Sequence, residues 1–258
     1  MQLHRSSGVL MHVSSLYGSD SIGGFGQEAR EFIDFLADCG FGWWQVLPFC
    51  MSDEYNSPYK SFSAFGGNPY FVDIRRLREE GLLSAAEVEA VRETTPFSAE
   101  YGYLYRTRLD LLRRAAERTD AAERARVAAF LTDNPYLAQF CDFMARRRAN
   151  GDLPWYRWQD AAARDEQEYE AWGFIQYRFM SQWQAIHDYA AHRGVKILGD
   201  MPIYVSYDSC DVFANREQFL LDAAGAPTAV AGCPPDYFAR DGQLWGNPLY
   251  DWKRMEQD

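Results

Sequence analysis

The feature that most restricts the fold is an ordered pattern near the N-terminus: apolar run, glycine-rich loop, amphipathic helix, apolar run. Residues Gly8 to Leu16 (GVLMHVSSL) suit a buried strand, and Gly23, Gly24 and Gly26 form the loop that follows. From Gln27 to Asp38, the residues Ala29, Phe32, Ile33 and Leu36 recur at i, i+3, i+4 and i+7, and Gly40 supplies a C-terminal stop. Trp43 to Phe49 (WWQVLPF) is β-prone and closed by Pro48. Two apolar strands joined by one helix predict a β-α-β unit and therefore a parallel sheet. The Gly23-Gly24-Phe25-Gly26 run lacks the G-x-G-x-x-G spacing, so a dinucleotide-binding fold is not indicated.

A third unit follows much later. A helix is predicted from about Glu168 to Arg193, with Trp172, Ile175, Phe179, Trp183 and Ile186 on its buried stripe and Gly194 ending it. Val195 to Leu198 (VKIL) is then a third strand, with Gly199-Asp200 at its C-terminal end. Between these units, residues 84–149 are rich in Ala, Arg and Glu at helical spacing, and Ser84 with Glu87 reads as a capping box. This stretch is predicted to be an all-helical insertion whose charges form a solvated face. Three β/α pairs are visible where a closed (β/α)8 barrel needs eight. The chain thus reads as an α/β fold, the N-terminal part of a (β/α)8 TIM barrel with a helical insertion subdomain. The expected divisions are 1–83, 84–167 and 168–258.

Composition narrows the function classes. The 258 residues carry a net charge of −11, the wrong sign for a groove that neutralises phosphates, so no nucleic-acid partner is expected. Aromatic residues make up 16% of the chain, which calls for a ring-rich core or a ring-lined cleft. Cys39, Cys50, Cys141, Cys210 and Cys233 form an odd set without a CxxC pair, each among apolar or aromatic neighbours as a buried thiol would be. The segment Met1 to Arg5 lacks the apolar run of a signal peptide, and no run of 18 apolar residues is present to cross a membrane. A reduced, cytoplasmic, soluble protein is expected. His4, His12, His187 and His192 show no ligand spacing, and GxSxG is absent, so neither a metal site nor a serine-hydrolase elbow is expected.

Three segments could carry chemistry. Asp200 stands where a parallel strand ends, the edge at which α/β folds place functional groups. Its carboxylate could bond two adjacent hydroxyls of a ligand, or could be a turn aspartate before Pro202. Asn56-Ser57-Pro58-Tyr59 lies in the long, Ser-, Gly-, Asn- and Pro-rich stretch from Cys50 to Tyr70. Tyr59 could cover the apolar face of a sugar while Ser57 bonds its polar rim, or the segment could be a simple turn with a packed ring. Pro234-Pro235-Asp236-Tyr237-Phe238 with Gly242 to Pro248 combines stiff ends, flexible glycines and ring faces. It fits a ligand-stacking loop, or a structured loop whose rings plug the core. Asp208 to Trp252 otherwise reads as irregular, with one short helix expected at about 215–221 and another beginning near Trp252.

Six segments in order carry a wider likeness. They are Ser7-Gly8-Val9-Leu10 with Ser14-Ser15-Leu16, Trp44-Gln45-Val46-Leu47-Pro48, and Ser57-Pro58-Tyr59 with Ser61-Phe62-Ser63-Ala64-Phe65 and Gly67-Asn68-Pro69-Tyr70. The others are Gly199-Asp200-Met201-Pro202-Ile203-Tyr204-Val205, Pro234-Pro235-Asp236-Tyr237-Phe238, and Trp245-Gly246-Asn247-Pro248-Leu249-Tyr250. Together they resemble the 4-α-glucanotransferases (amylomaltases, glycoside hydrolase family 77). The resemblance implies transfer of α-1,4-glucan segments between maltodextrin donor and acceptor, by a retaining double displacement on a (β/α)8 barrel, without a cofactor. It implies substrate-binding roles for Ser57, Tyr59, Asp200, Asp236, Tyr237, Phe238, Trp245 and Asn247. The family's nucleophile lies in an Arg-x-Asp-His-Phe-Arg-Gly-like strand after the WGNPLY segment, and its acid/base glutamate later still. Neither motif occurs in the 258 residues, so no catalytic residue is assigned and the chain alone is expected to be inactive. It reads as the first portion of a longer enzyme; a non-catalytic maltodextrin-binding half-barrel and a related α-glucan hydrolase are the alternatives.

Overall fold

The computed structural model describes residues 5–18, 21–51, 56–93 and 98–257. His4, most of the Met1 to Arg5 segment, and positions 52–55 of the long loop lie outside the described residues. Strand β1 (Gly8–Leu10) pairs in parallel with β2 (Trp43–Gln45), and β2 pairs in parallel with β3 (Lys196–Leu198). The strand order is β1-β2-β3, with Trp44 opposite Val9 on one side and Ile197 on the other. Trp44 is fully buried and donates its indole N–H to the Met11 carbonyl at 2.7 Å. Gly8 is required at its position, because a Cβ there would meet the Trp43 carbonyl oxygen at 2.6 Å.

Helix α1 (Gln27–Asp38) makes the first crossover and buries Ala29, Ile33 and Leu36 of its expected stripe, with Phe32 half-buried. The second crossover is long. It contains α2 (Ile74–Glu79), α3 (Ala85–Ala90), α4 (Tyr101–Glu117), α5 (Ala121–Asp133), α6 (Pro135–Ala149) and α7 (Glu166–His192). Ser84 and Glu87 form the expected capping box on α3. The 27-residue α7 is the spine of the molecule, packing against α1, α4, α5, α6 and β3. Its N-terminus is set by Asp165, whose carboxylate accepts from Glu168 N at 3.0 Å and satisfies an orphan amide of the first turn. Beyond β3 come α8 (Cys210–Ala214), an antiparallel hairpin of β4 (Val230–Cys233) and β5 (Gln243–Pro248), and α9 (Trp252–Met255).

The core is ring-rich. Phe25 meets Phe49, Phe71, Phe179 and Trp183 with centroid separations of 5.0–5.8 Å, mostly edge-on or tilted, as aromatic quadrupoles prefer. His12 sits in the same cluster, 5.4 Å from Phe71, and burial pushes its pKa down to about 4.

Several expectations need correction. The first two strands are much shorter than the apolar runs 8–16 and 43–49. The chain turns into a 3₁₀ turn at Val13–Ser15, and Leu47 N donates to the His12 ring (Nδ1, 3.3 Å), so the ladder ends where a side chain replaces a strand partner. A helix at 215–221 is not formed. Ser209 caps α8 upstream, a 3₁₀ turn covers Arg216–Gln218, and Phe219 joins a β-bridge to Tyr250. Residues 230–248, read as irregular, contain the β4–β5 hairpin. Cys39 is exposed and Cys233 half-buried, whereas Cys50, Cys141 and Cys210 are buried as expected. Among the described residues, no helix is long and apolar enough to cross a membrane.

Candidate functional site

The loop after β2 and the residues just after β3 meet at the C-terminal edge of the parallel sheet. Asp200 follows β3 by two positions, and its Oδ1 accepts from Met201 N at 2.8 Å, which fixes the carboxylate plane. Oδ2 accepts from the Tyr59 hydroxyl at 2.5 Å, across 141 residues of chain. This bond holds the Tyr59 proton, so the phenol's pKa lies above its ordinary value. Tyr59 is 43% exposed and Asp200 is exposed, so the pair faces solvent and is no buried structural brace. The turn reading of Asp200 therefore describes only one of its two oxygens. Likewise, Tyr59 is not a ring packed under a turn.

Tyr59 is set up locally by its own segment. Ser57 Oγ accepts from Tyr59 N at 3.4 Å, and Asn56, at φ +61°, accepts through Oδ1 from the Tyr105 hydroxyl of α4 at 2.7 Å. Further along the loop, Gly67 approaches α7 so closely that a Cβ would meet the Phe179 ring at 2.4 Å. Buried Gln176 holds Gly67 at both ends, accepting from its N–H at 2.8 Å and donating to its carbonyl at 3.0 Å. The loop is thus anchored on α7 while its Tyr59 end reaches Asp200.

The hairpin supplies exposed rings. Trp245 on β5 is 44% exposed, donates Nε1–H to Gln243 Oε1 at 3.0 Å, and lies 6.2 Å from the Tyr204 ring. Tyr204 stacks on Tyr250, whose hydroxyl donates to the Ile203 carbonyl at 3.0 Å. These three rings link β5 to the segment immediately after Asp200. Tyr204 and Tyr250 lie outside the expected site residues, although both belong to the family-like segments 199–205 and 245–250; nothing in their spacing marks them as neighbours. Tyr237 and Phe238 are almost wholly exposed at the hairpin tip, edge-on to each other at 5.5 Å. Asp236 shapes that tip: its Oδ1 accepts from Phe238 N and Ala239 N at 2.9 and 2.6 Å. Asn247 is buried, with its amide donated to the Val205 carbonyl at 2.8 Å, and so ties β5 to the post-β3 segment. Of the eight expected residues, Tyr59 and Asp200 are joined directly. Ser57 supports Tyr59, Trp245 is linked through Tyr204, and Asn247 is a brace. Asp236, Tyr237 and Phe238 project at the hairpin tip.

Chemically, the arrangement offers an acceptor carboxylate beside an exposed phenol ring, with further rings nearby. That combination suits a ligand with an apolar face and a hydroxyl-bearing rim. Among the described residues, no group of three or more His, Cys, Asp or Glu side chains is arranged to hold a metal.

Known proteins share this organisation. The chain is 41% identical to a 4-alpha-glucanotransferase of Streptococcus pneumoniae over 98% of its own length and 54% of that protein. A Thermus thermophilus 4-alpha-glucanotransferase is 39% identical over the whole chain and 54% of the relative. The structure superposes on amylomaltase from Streptococcus agalactiae in complex with acarbose with a TM-score of 0.91 at 34% identity, covering 98% of this chain and 55% of that one. The chain therefore spans about half the length of the relatives it matches. Residues 11–258 match the glycoside hydrolase 77 family model, described as 4-alpha-glucanotransferase, and the chain belongs to that family.

Proposed function

We propose that this chain forms the substrate-binding half of an enzyme that transfers α-1,4-glucan segments between maltodextrins. The observation that carries the reading is the Tyr59–Asp200 pair, exposed at the C-terminal edge of a parallel sheet in a member of this family. Asp200 accepts hydrogen bonds from two neighbouring sugar hydroxyls at the cleavage position, and Tyr59 covers the ring. Trp245, Tyr237 and Phe238 stack on flanking glucose units, and Ser57 and Asp236 present polar groups to the rim. Asn247 acts through the position of β5. The strands β1 to β3 are the first three of a (β/α)8 barrel, in a layout of 1–83, a helical insertion at 84–167, and 168–258.

The reaction is a retaining double displacement. A carboxylate oxygen attacks C1, the glycosidic C1–O bond breaks, and a second carboxylic acid protonates the departing O4. The 4-hydroxyl of an acceptor glucan then attacks C1, returning its proton to the same acid/base and freeing the nucleophile. Retaining chemistry needs two carboxyl groups about 5–5.5 Å apart, and the motifs that carry them in the family have no counterpart among these residues. Asp200 is assigned to binding. No cofactor enters the scheme. A reducing, cytoplasmic setting fits the buried thiols, of which Cys50 is pushed up to about 11 by burial.

Incubating the purified chain with maltotriose and measuring glucose tests this division of labour. No glucose above blank is expected from the 258 residues alone. Glucose release by the 258 residues alone would overturn this division of labour, because the chain would then hold its own nucleophile and acid/base.

A further inference from the structure

Phe65 stands apart from its surroundings. It belongs to the same loop as Tyr59, and the backbone around it is pinned from several directions. Ser63 Oγ accepts from Phe65 N at 3.0 Å and from Gly66 N at 3.2 Å, while Ala64 N donates to Asp211 Oδ2 at 3.0 Å. Cys210 N donates to the Phe62 carbonyl at 2.7 Å, and the Arg147 guanidinium lies over the Phe62 ring at 4.3 Å. Gly66 is pressed against Phe140 so tightly that a Cβ would meet that ring at 2.8 Å. Burial raises the Asp211 pKa. A segment held this firmly nonetheless presents a phenylalanine ring that is 65% exposed.

The ring does not stand alone. Tyr136, 44% exposed, approaches it edge-on, with a centroid separation of 5.7 Å and an interplanar angle of 61°. Tyr136 is also fixed. It follows Pro135 in the first turn of α6, where proline's locked φ favours the helix. Its hydroxyl donates to Asn134 Oδ1 at 3.1 Å, and Asn134 in turn donates to the Phe130 carbonyl at 2.8 Å. The outcome is a rigid, two-ring corner with polar groups at its rim, assembled from the Tyr59 loop and the helical insertion. Apolar C–H faces edged by hydroxyls are what such a corner accommodates, at little ordering cost because both rings are already in place.

We propose that Phe65 and Tyr136 form an outer sugar-stacking subsite, reached by an α-1,4-glucan whose inner units lie at Tyr59 and Asp200. This rests on the functional reading above and extends it to chain length. Phe65 lies six positions after Tyr59, so their Cα atoms lie at most about 20 Å apart. A heptasaccharide seated at Asp200 has the length to bridge that distance in full. The subsite selects longer glucans.

Calorimetric titration of the 258-residue chain with maltotriose and with maltoheptaose tests this. Phe65→Ala and Tyr136→Ala are each expected to weaken maltoheptaose binding by about threefold to tenfold, the loss appropriate to one aromatic stacking contact. Maltotriose affinity should stay within about twofold, and Phe65→Trp should restore heptasaccharide binding. Unchanged maltoheptaose affinity in both alanine variants would overturn the subsite alone. So would equal losses for both sugars, because a ring pair that merely ties the loop to α6 has no reason to distinguish their lengths. Absence of binding to either sugar by the unmodified chain would overturn both the subsite and the functional reading beneath it.

Discussion

The Tyr59 hydroxyl donates to the Asp200 carboxylate at 2.5 Å, joining the loop after β2 to the residue that follows β3. Because both side chains are exposed, the bond contributes to the site more than to the fold. Tyr59→Phe keeps the ring but removes the donor. Unfolding stability is expected to change by less than about 0.5 kcal/mol, as for surface substitutions in general. Maltoheptaose affinity should fall by about threefold to tenfold, because a carboxylate that has lost a partner is less well oriented. Chemical denaturation and sugar titration on the same preparation separate the two effects.

His12 makes stability depend on pH. Burial holds its folded pKa at about 4, against 6.5 for the unperturbed group. Between those values the unfolded chain binds a proton that the folded chain does not, so stability falls as pH drops from 6.5 toward 4. The largest loss from this group is about 3 kcal/mol. His12→Asn retains an acceptor for Leu47 N without the titration. Urea midpoints measured at pH 7, 5.5 and 4.5 should fall more steeply for the unmodified chain than for the variant.

Gly67 is the tightest point of the loop against α7. Gly67→Ala would place a Cβ 2.4 Å from the Phe179 ring, which is itself held by Phe25. Overpacking of this kind costs about 1–3 kcal/mol, so a lowered midpoint in thermal or urea unfolding is expected. A variant as stable as the parent would show that Phe179 has room to move.

Gln176 offers the complementary test. It is fully buried and satisfies both backbone groups of Gly67. Gln176→Leu leaves two buried polar groups without partners, at about 1–3 kcal/mol each. Amide hydrogen exchange at 61–67 should accelerate by more than exchange elsewhere on α7, since the loop loses its anchor while the helix keeps its packing.

Local regularities were legible in the sequence, and contacts between distant segments were not. The stripe Ala29, Ile33 and Leu36 on α1 and the Ser84–Glu87 capping box depend on spacings of a few residues, and both are present. Strand lengths depend on His12 capturing Leu47 N from 35 positions away, which no periodicity encodes. The β4–β5 hairpin was hidden because Gly242 and Gly246, both at positive φ, look like loop residues. In the candidate site, chain position alone marked Asp200. Its union with Tyr59 could not be read from composition or spacing, and the family likeness brought the two residues forward without showing how they meet. Phe65 stands in a family-like segment that marks it for no role, and Tyr136 stands in none, since an exposed ring and a buried ring are the same letter.

The most direct measurement is a tryptophan-fluorescence titration of the 258-residue chain with maltoheptaose, run beside Asp200→Ala. Trp245 lies beside Tyr204, in the segment that follows Asp200, and reports on occupancy. A saturable change in the unmodified chain, weakened at least about tenfold by Asp200→Ala, is the expected result, because removing the carboxylate strips charge-assisted hydrogen bonds from the sugar. Equal saturation curves for the two proteins, or a flat response in the unmodified chain, would contradict the assignment of this edge of the sheet to glucan binding.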